Sequence, residues 1–159
     1  MRHELGRLGT RLLPLWRARA LLATGQLAEA LRALSPSSSP KNGRAESDIS
    51  ETTLLAVVYA RLGRREDAER ILAATIPVAE NPTGLSHMHH SQFDIGCTLS
   101  MLGRYDEAVR WLTKAADEGY QSYPRFSTDQ TLAPFKGHAG FAALLARLRQ
   151  DLDRWQKTL

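Results

Sequence analysis

One stretch of this chain recurs with variation. Leu62-Gly63-Arg64-Arg65-Glu66-Asp67-Ala68 reappears as Leu102-Gly103-Arg104-Tyr105-Asp106-Glu107-Ala108, and a fainter copy, Thr24-Gly25-Gln26-Leu27-Ala28-Glu29-Ala30, precedes both. A spacing of roughly 40 residues between copies is the mark of stacked helical hairpins. Each copy reads as the turn of one hairpin. An apolar-periodic helix ends at Leu or Thr, and the glycine can take the left-handed conformation that closes a helix without a Cβ penalty. A second helix then starts with acidic residues, which its dipole favours, and a small Ala follows where two helices approach.

The rest of the chain fits a helical reading, with seven or eight helices expected and no strand. Expected spans are about 11–23, 27–34, 50–62, 65–79, 87–102, 105–118 and 139–156. Ser35-Pro36-Ser37-Ser38-Ser39-Pro40-Lys41-Asn42-Gly43 has no apolar anchor, so a mobile loop is expected at about 35–47. Residues 119–137 combine two prolines with four aromatics, which suggests an irregular segment folded back over the last hairpin. A short helical turn is expected near Thr128 to Ala133, capped by Asp129. In the closing helix Phe141, Leu144, Leu145, Leu148, Leu152 and Trp155 form one apolar stripe, as the end of a stack requires.

With these residues in place, the chain resembles the tetratricopeptide repeat, a helix-turn-helix unit of about 34 residues. Aligned on the turn glycines, the units span about 11–44, 49–82 and 89–122, followed by a carboxy-terminal cap over 123–159, all within a single domain of 1–159. The third unit matches best, with Gly96, Gly103, Tyr105, Ala108, Leu112 and Ala115. The second has Ala56, Tyr59, Gly63, Ala68, Leu72 and Pro82. The first keeps Ala18, Leu21, Gly25, Ala30 and Leu34 but carries Pro14 in its opening helix. From His87 onward the order Trp111-Leu112, Ala116 to Gly119, Tyr123-Pro124, Asp129, Leu132, Pro134 and Gly137 to Phe141 is similar to a terminal tetratricopeptide module of bacterial proteins. That module is often fused to signalling or transcription-regulating domains. Ala139 stands where the module usually has Pro.

The resemblance implies an all-α, right-handed solenoid whose first helices line a concave groove. Its groove positions map onto Leu15, Arg19 and Leu22, then Thr53, Val57, Ala60 and Arg61, then His90, Phe93, Cys97, Ser100 and Met101. This groove would be mainly apolar. It lacks the Lys and Asn set with which some members of the family clamp a terminal carboxylate, so an amphipathic helix or short hydrophobic peptide suits it better. The competing reading is that the chain's own amino-terminal segment packs into part of it.

Other function classes are constrained by composition. The chain has 159 residues, 43% of them hydrophobic, and no run long and apolar enough to span a bilayer. Met1-Arg2-His3-Glu4 leads into an Arg-rich stretch without a small-residue cleavage site, which argues against a secretory signal. Cys97, the sole cysteine, reads as a small buried hydrophobe, and the expected setting is the cytoplasm. The formal charge is +4, yet acidic residues interleave with Arg61, Arg64, Arg65 and Arg70, and the amino-terminal arginines spread around their helix, so nucleic-acid binding is not expected.

His87, His89 and His90 could suggest a metal, but only His87 and His90 share a helix face, and no metal or cofactor is expected. There is no nucleophile elbow and no phosphate loop, so the chain is not expected to be an enzyme. Three functions remain open from the sequence: a protein-interaction module that binds a peptide or helix of a partner, a non-catalytic carboxy-terminal structural domain of a larger signalling or transcription-regulating protein, and, third, a metal-responsive sensor built on His87 and His90.

Overall fold

The computed structural model describes residues 14–34, 45–81 and 88–158. Among these residues the chain is all-α and has no strand. The helices are α1 (residues 14–23), α2 (Leu27–Leu34), α3 (Ala45–Arg61), α4 (Arg65–Glu80), α5 (His89–Met101), α6 (Tyr105–Asp117), α7 (Tyr123–Thr128) and α8 (Ala139–Lys157). A 3-10 helix, Gln130–Phe135, lies between α7 and α8. The helices pack in adjacent pairs, which makes a tetratricopeptide-like helical repeat. The residues from 35 to 44, where most of the expected loop falls, lie outside the described set, and α3 already begins at Ala45 rather than near 50. Ala45 and Glu46 are good helix formers, and the absence of an apolar anchor did not stop the helix from extending over them.

The turns are built alike. Gly25, Gly63 and Gly103 have φ of 78°, 74° and 79°. In each turn the N–H one residue past the glycine donates back across the helix end: Gln26 to the Leu21 carbonyl at 2.8 Å, Arg64 to Tyr59 at 2.9 Å and Arg104 to Leu99 at 3.0 Å. The glycine N–H of each donates to the carbonyl three residues earlier. This is the Schellman closure, which satisfies carbonyls that a helix end would leave without partners. Gly119 (φ 113°) ends α6 in the same way, with Tyr120 N–H donating to the Ala115 carbonyl at 2.9 Å.

The chain forms two compact units, Met1–Thr75 and Ile76–Leu159, with the division inside α4. In the first, Ala18, Leu22, Ala30, Leu34, Leu54, Val58, Ala68 and Leu72 are buried. The Arg61 guanidinium donates to the Leu22 carbonyl at 2.7 Å, so α3 caps the end of α1.

The second unit is organised around α5, which is buried at every position from Ser91 to Ser100. Its pairing with α6 depends on Gly96. A Cβ there would meet Leu112 Cγ at 2.6 Å, and Leu112 is itself fully buried. At the start of α6, Arg104 donates to both Glu107 oxygens at 2.8 and 2.7 Å and holds that carboxyl below its ordinary value. Phe135 stacks on Phe141 with centroids 4.3 Å apart, which ties the 3-10 helix to α8. Phe141, Leu144 and Leu148 of the expected apolar stripe are buried, whereas Trp155 is 68% exposed. The stripe is therefore covered along its first turns and open at its end.

At Gly103 nothing lies within 4 Å of the place a Cβ would take, so the cost of a side chain there is conformational alone. Gly103→Ala is expected to lower unfolding free energy by about 1 kcal/mol. Gly96→Ala must also displace Leu112, at about 1–3 kcal/mol, partly offset by a gain of about 1 kcal/mol in helix propensity. Urea denaturation checks both; a Gly103→Ala protein as stable as the parent would remove the left-handed turn from the argument.

Candidate functional site

The twelve expected groove residues divide between the two units. In the first unit Thr53 and Val57 are buried, while Arg19, Ala60 and Arg61 are half-exposed on α1 and α3. Arg61 is already engaged with the Leu22 carbonyl. Leu15 is half-exposed and Leu22 buried.

In the second unit the helical spacing does bring His90, Phe93, Cys97 and Ser100 onto one face of α5, and the chain's own carboxy-terminal segment covers that face. Phe93 is 1% exposed and packs edge-on against the fully buried Phe126 of α7, with centroids 5.0 Å apart. Tyr120 lies 4.8 Å from the Phe93 ring and 4.9 Å from that of His90. The Ser100 hydroxyl donates to the Thr131 carbonyl at 3.0 Å. Met101, at the helix end, is half-exposed. The cover is residues 120–135, within the segment expected to fold back over the last hairpin; the competing reading, in which the amino-terminal segment packs into part of the groove, falls on residues 1–13, which lie outside the described set.

The cover is held by its own small network. Asp129 caps the 3-10 helix, accepting from the Thr131 N–H at 2.9 Å and the Thr131 hydroxyl at 2.6 Å, and it pairs with Arg125 at 3.1 Å. This is the cap expected at that residue, and the 3-10 helix lies two positions later than the expected turn at each end. Arg125 also lies over the Phe93 ring, 5.7 Å from its centroid. Apolar burial by Phe126, Leu132 and Phe135 supplies the bulk of the attachment, at about 1.5–3 kcal/mol per side chain.

Cys97 lies beneath this segment. Burial pushes its thiol well above the ordinary range, reinforced by the Asp129 carboxylate and partly opposed by a Thr131 hydrogen bond. A thiol held protonated and shielded is a poor nucleophile. His89 and His90 stand with ring centroids 4.6 Å apart and pack on Tyr120. Among the described residues no group of three or more His, Cys, Asp or Glu side chains is placed to hold a metal ion; His87 lies outside them. Among the same residues no helix is long and apolar enough to cross a membrane.

The tetratricopeptide repeat family model matches residues 15–36 and 52–74, and each match spans one of the glycine turns, at Gly25 and Gly63. The chain carries tetratricopeptide repeats. No curated protein and no solved structure matches it. Tetratricopeptide repeats generally mediate protein–protein interaction and are generally non-catalytic. The α5/α6 hairpin uses the same Schellman turn as the two matched repeats.

Two outcomes check the covered face. Phe126→Ala should destabilise the second unit by about 3–5 kcal/mol, the cost of removing a buried phenyl, and a loss under about 1 kcal/mol would mean that the segment is not packed as described. In the native protein Cys97 should react with a thiol reagent on the order of 100-fold more slowly than in urea. Equal rates would place the thiol at the surface.

Proposed function

We propose that the chain is a protein-interaction module that receives a segment of a partner protein, an amphipathic helix or a short apolar peptide, on the inner face of its first repeats. The observation that carries this reading is the family match across α1/α2 and α3/α4, together with the half-exposed positions Leu15, Arg19 and Ala60 on the two inner helices. Thr53 and Val57 form the floor of that face rather than its surface, and Arg61 braces it through the α1 carbonyl. On α5 the corresponding positions Phe93, Cys97 and Ser100 already have an occupant in residues 120–135, so docking is assigned to the first unit. A half-exposed apolar position over a buried floor suits a helix with one apolar face. The encounter is placed in the cytoplasm, the default for a chain whose single cysteine is a buried thiol.

A photoreactive side chain tests this when placed at Ala60, which is half-exposed, and in parallel at Ala146, which is exposed on α8. Position 60 should form one dominant adduct with a partner protein, suppressed by excess unlabelled chain, and position 146 should not. The same adducts at both positions, or none at position 60, would remove the inner face as the docking surface.

A further inference from the structure

The charge of this protein is unevenly shared. The segment Met1–Thr75 holds twelve of the 21 Lys and Arg residues and eight of the 17 Asp and Glu, whereas Ile76–Leu159 holds nine of each, so the formal +4 lies in the first unit. Among the described residues the arginines are almost all engaged, in ion pairs, in the carbonyl contact of Arg61, or otherwise. Arg17 and Arg32 are the exceptions. Both are exposed, and both line one cleft of about 190 Å³ between α1 and α2, with Glu29 and Ala33 completing the wall.

Helix electrostatics account for parts of this. Glu29 stands in the first turn of α2 and Arg32 in its last, where the dipole favours each sign. They do not account for Arg17, in the body of α1, which faces the same cleft with no ion pair to a described residue while a carboxylate is on its wall. Two guanidinium groups flanking a concavity form a site for carboxylates, which accept paired N–H donors in a plane. Glu29 sets the limit on the ligand: it repels a phosphate backbone, charged at every step, more than a peptide whose acidic side chains are spaced.

We propose that the cleft between α1 and α2 is a docking site for acidic side chains of a partner protein. The proposal rests on the chain being a protein-interaction module, and it is independent of the inner face formed by α1 and α3. It gives a partner two points of attachment on one repeat, an apolar segment inside and acidic side chains on the flank.

The test is a fluorescence-anisotropy titration at low ionic strength with an end-blocked peptide in which Glu alternates with Gly and Ser, labelled with an uncharged dye. The blocked ends leave side-chain carboxylates as the sole anions. The parent should bind, the Arg17→Gln/Arg32→Gln protein should bind at least about tenfold more weakly, and Glu29→Gln should bind more tightly. Arg147→Gln/Arg154→Gln removes the same charge from arginines that already have partners, at Asp117 and Asp151, and should bind like the parent. Circular dichroism confirms that each variant is folded. No binding by the parent, equal weakening by both double variants, or displacement of the peptide by less single-stranded oligonucleotide than unlabelled peptide would overturn the assignment. Crosslinking from position 60 reads the inner face separately, so failure of either test leaves the other interpretable.

Discussion

The architecture depends on one backbone constraint, a glycine with positive φ immediately after a helix. At Gly25, Gly63, Gly103 and Gly119 the chain leaves a helix through the same pair of back-donated hydrogen bonds. At the first three the turn reverses the chain within three residues, and so forces two amphipathic helices to lie antiparallel with their apolar faces together. Side chains then refine what the turn imposes. Small residues such as Gly96 and Ala108 let α5 and α6 approach, and Leu112 fills the space a Cβ would have taken. Without the left-handed glycine each hairpin would need a longer connection, and the regular interval between successive turns would be lost.

A hairpin of two amphipathic helices leaves an outward apolar face that must be solvated, covered or bound. This protein treats the α5 face differently from those of α1 and α3. Phe126, Leu132 and Phe135 are too deeply buried for residues 120–135 to be a lightly held flap, and the Asp129 cap and the Ser100–Thr131 hydrogen bond fix their register. The segment serves as structure: it removes the apolar side of the last hairpin from water and gives α8 an aromatic surface to rest on through the Phe135–Phe141 stack. A partner that needed this face would have to expose three buried aromatic or aliphatic side chains at several kcal/mol, which few peptide contacts could offset.

Much of this was legible in the residues. The turn glycines, the acidic helix starts and the period-3.6 stripes located the paired helices, because each signal is local and acts through backbone geometry or a dipole, but α7 in the segment read as irregular, and the five residues by which α3 starts early, were missed. The Asp129 cap was legible for the same reason. The spacing of His90, Phe93, Cys97 and Ser100 also reported correctly that they share a face. The aromatic weight of residues 119–137 also showed that this segment folds back over the last hairpin; that it lands on the very face expected to be the groove was not legible, since periodicity says which side of a helix is apolar and is silent on what buries it. Arg61 gave no local sign of its bond to the Leu22 carbonyl, a contact across 39 residues.

The sequence by itself thus determined the all-α class, the hairpin turns and their repeat, and the residue that caps the 3-10 helix. Tertiary structure decided which apolar faces are closed, leaving α1 and α3 with half-exposed positions while α5 is sealed by residues 120–135. It also decided which arginines are engaged, since interleaved charges in a sequence carry no information about which pairs come within bonding distance. Both decisions are matters of contact between segments far apart in the chain, where shape and distance rule and local propensity has no say.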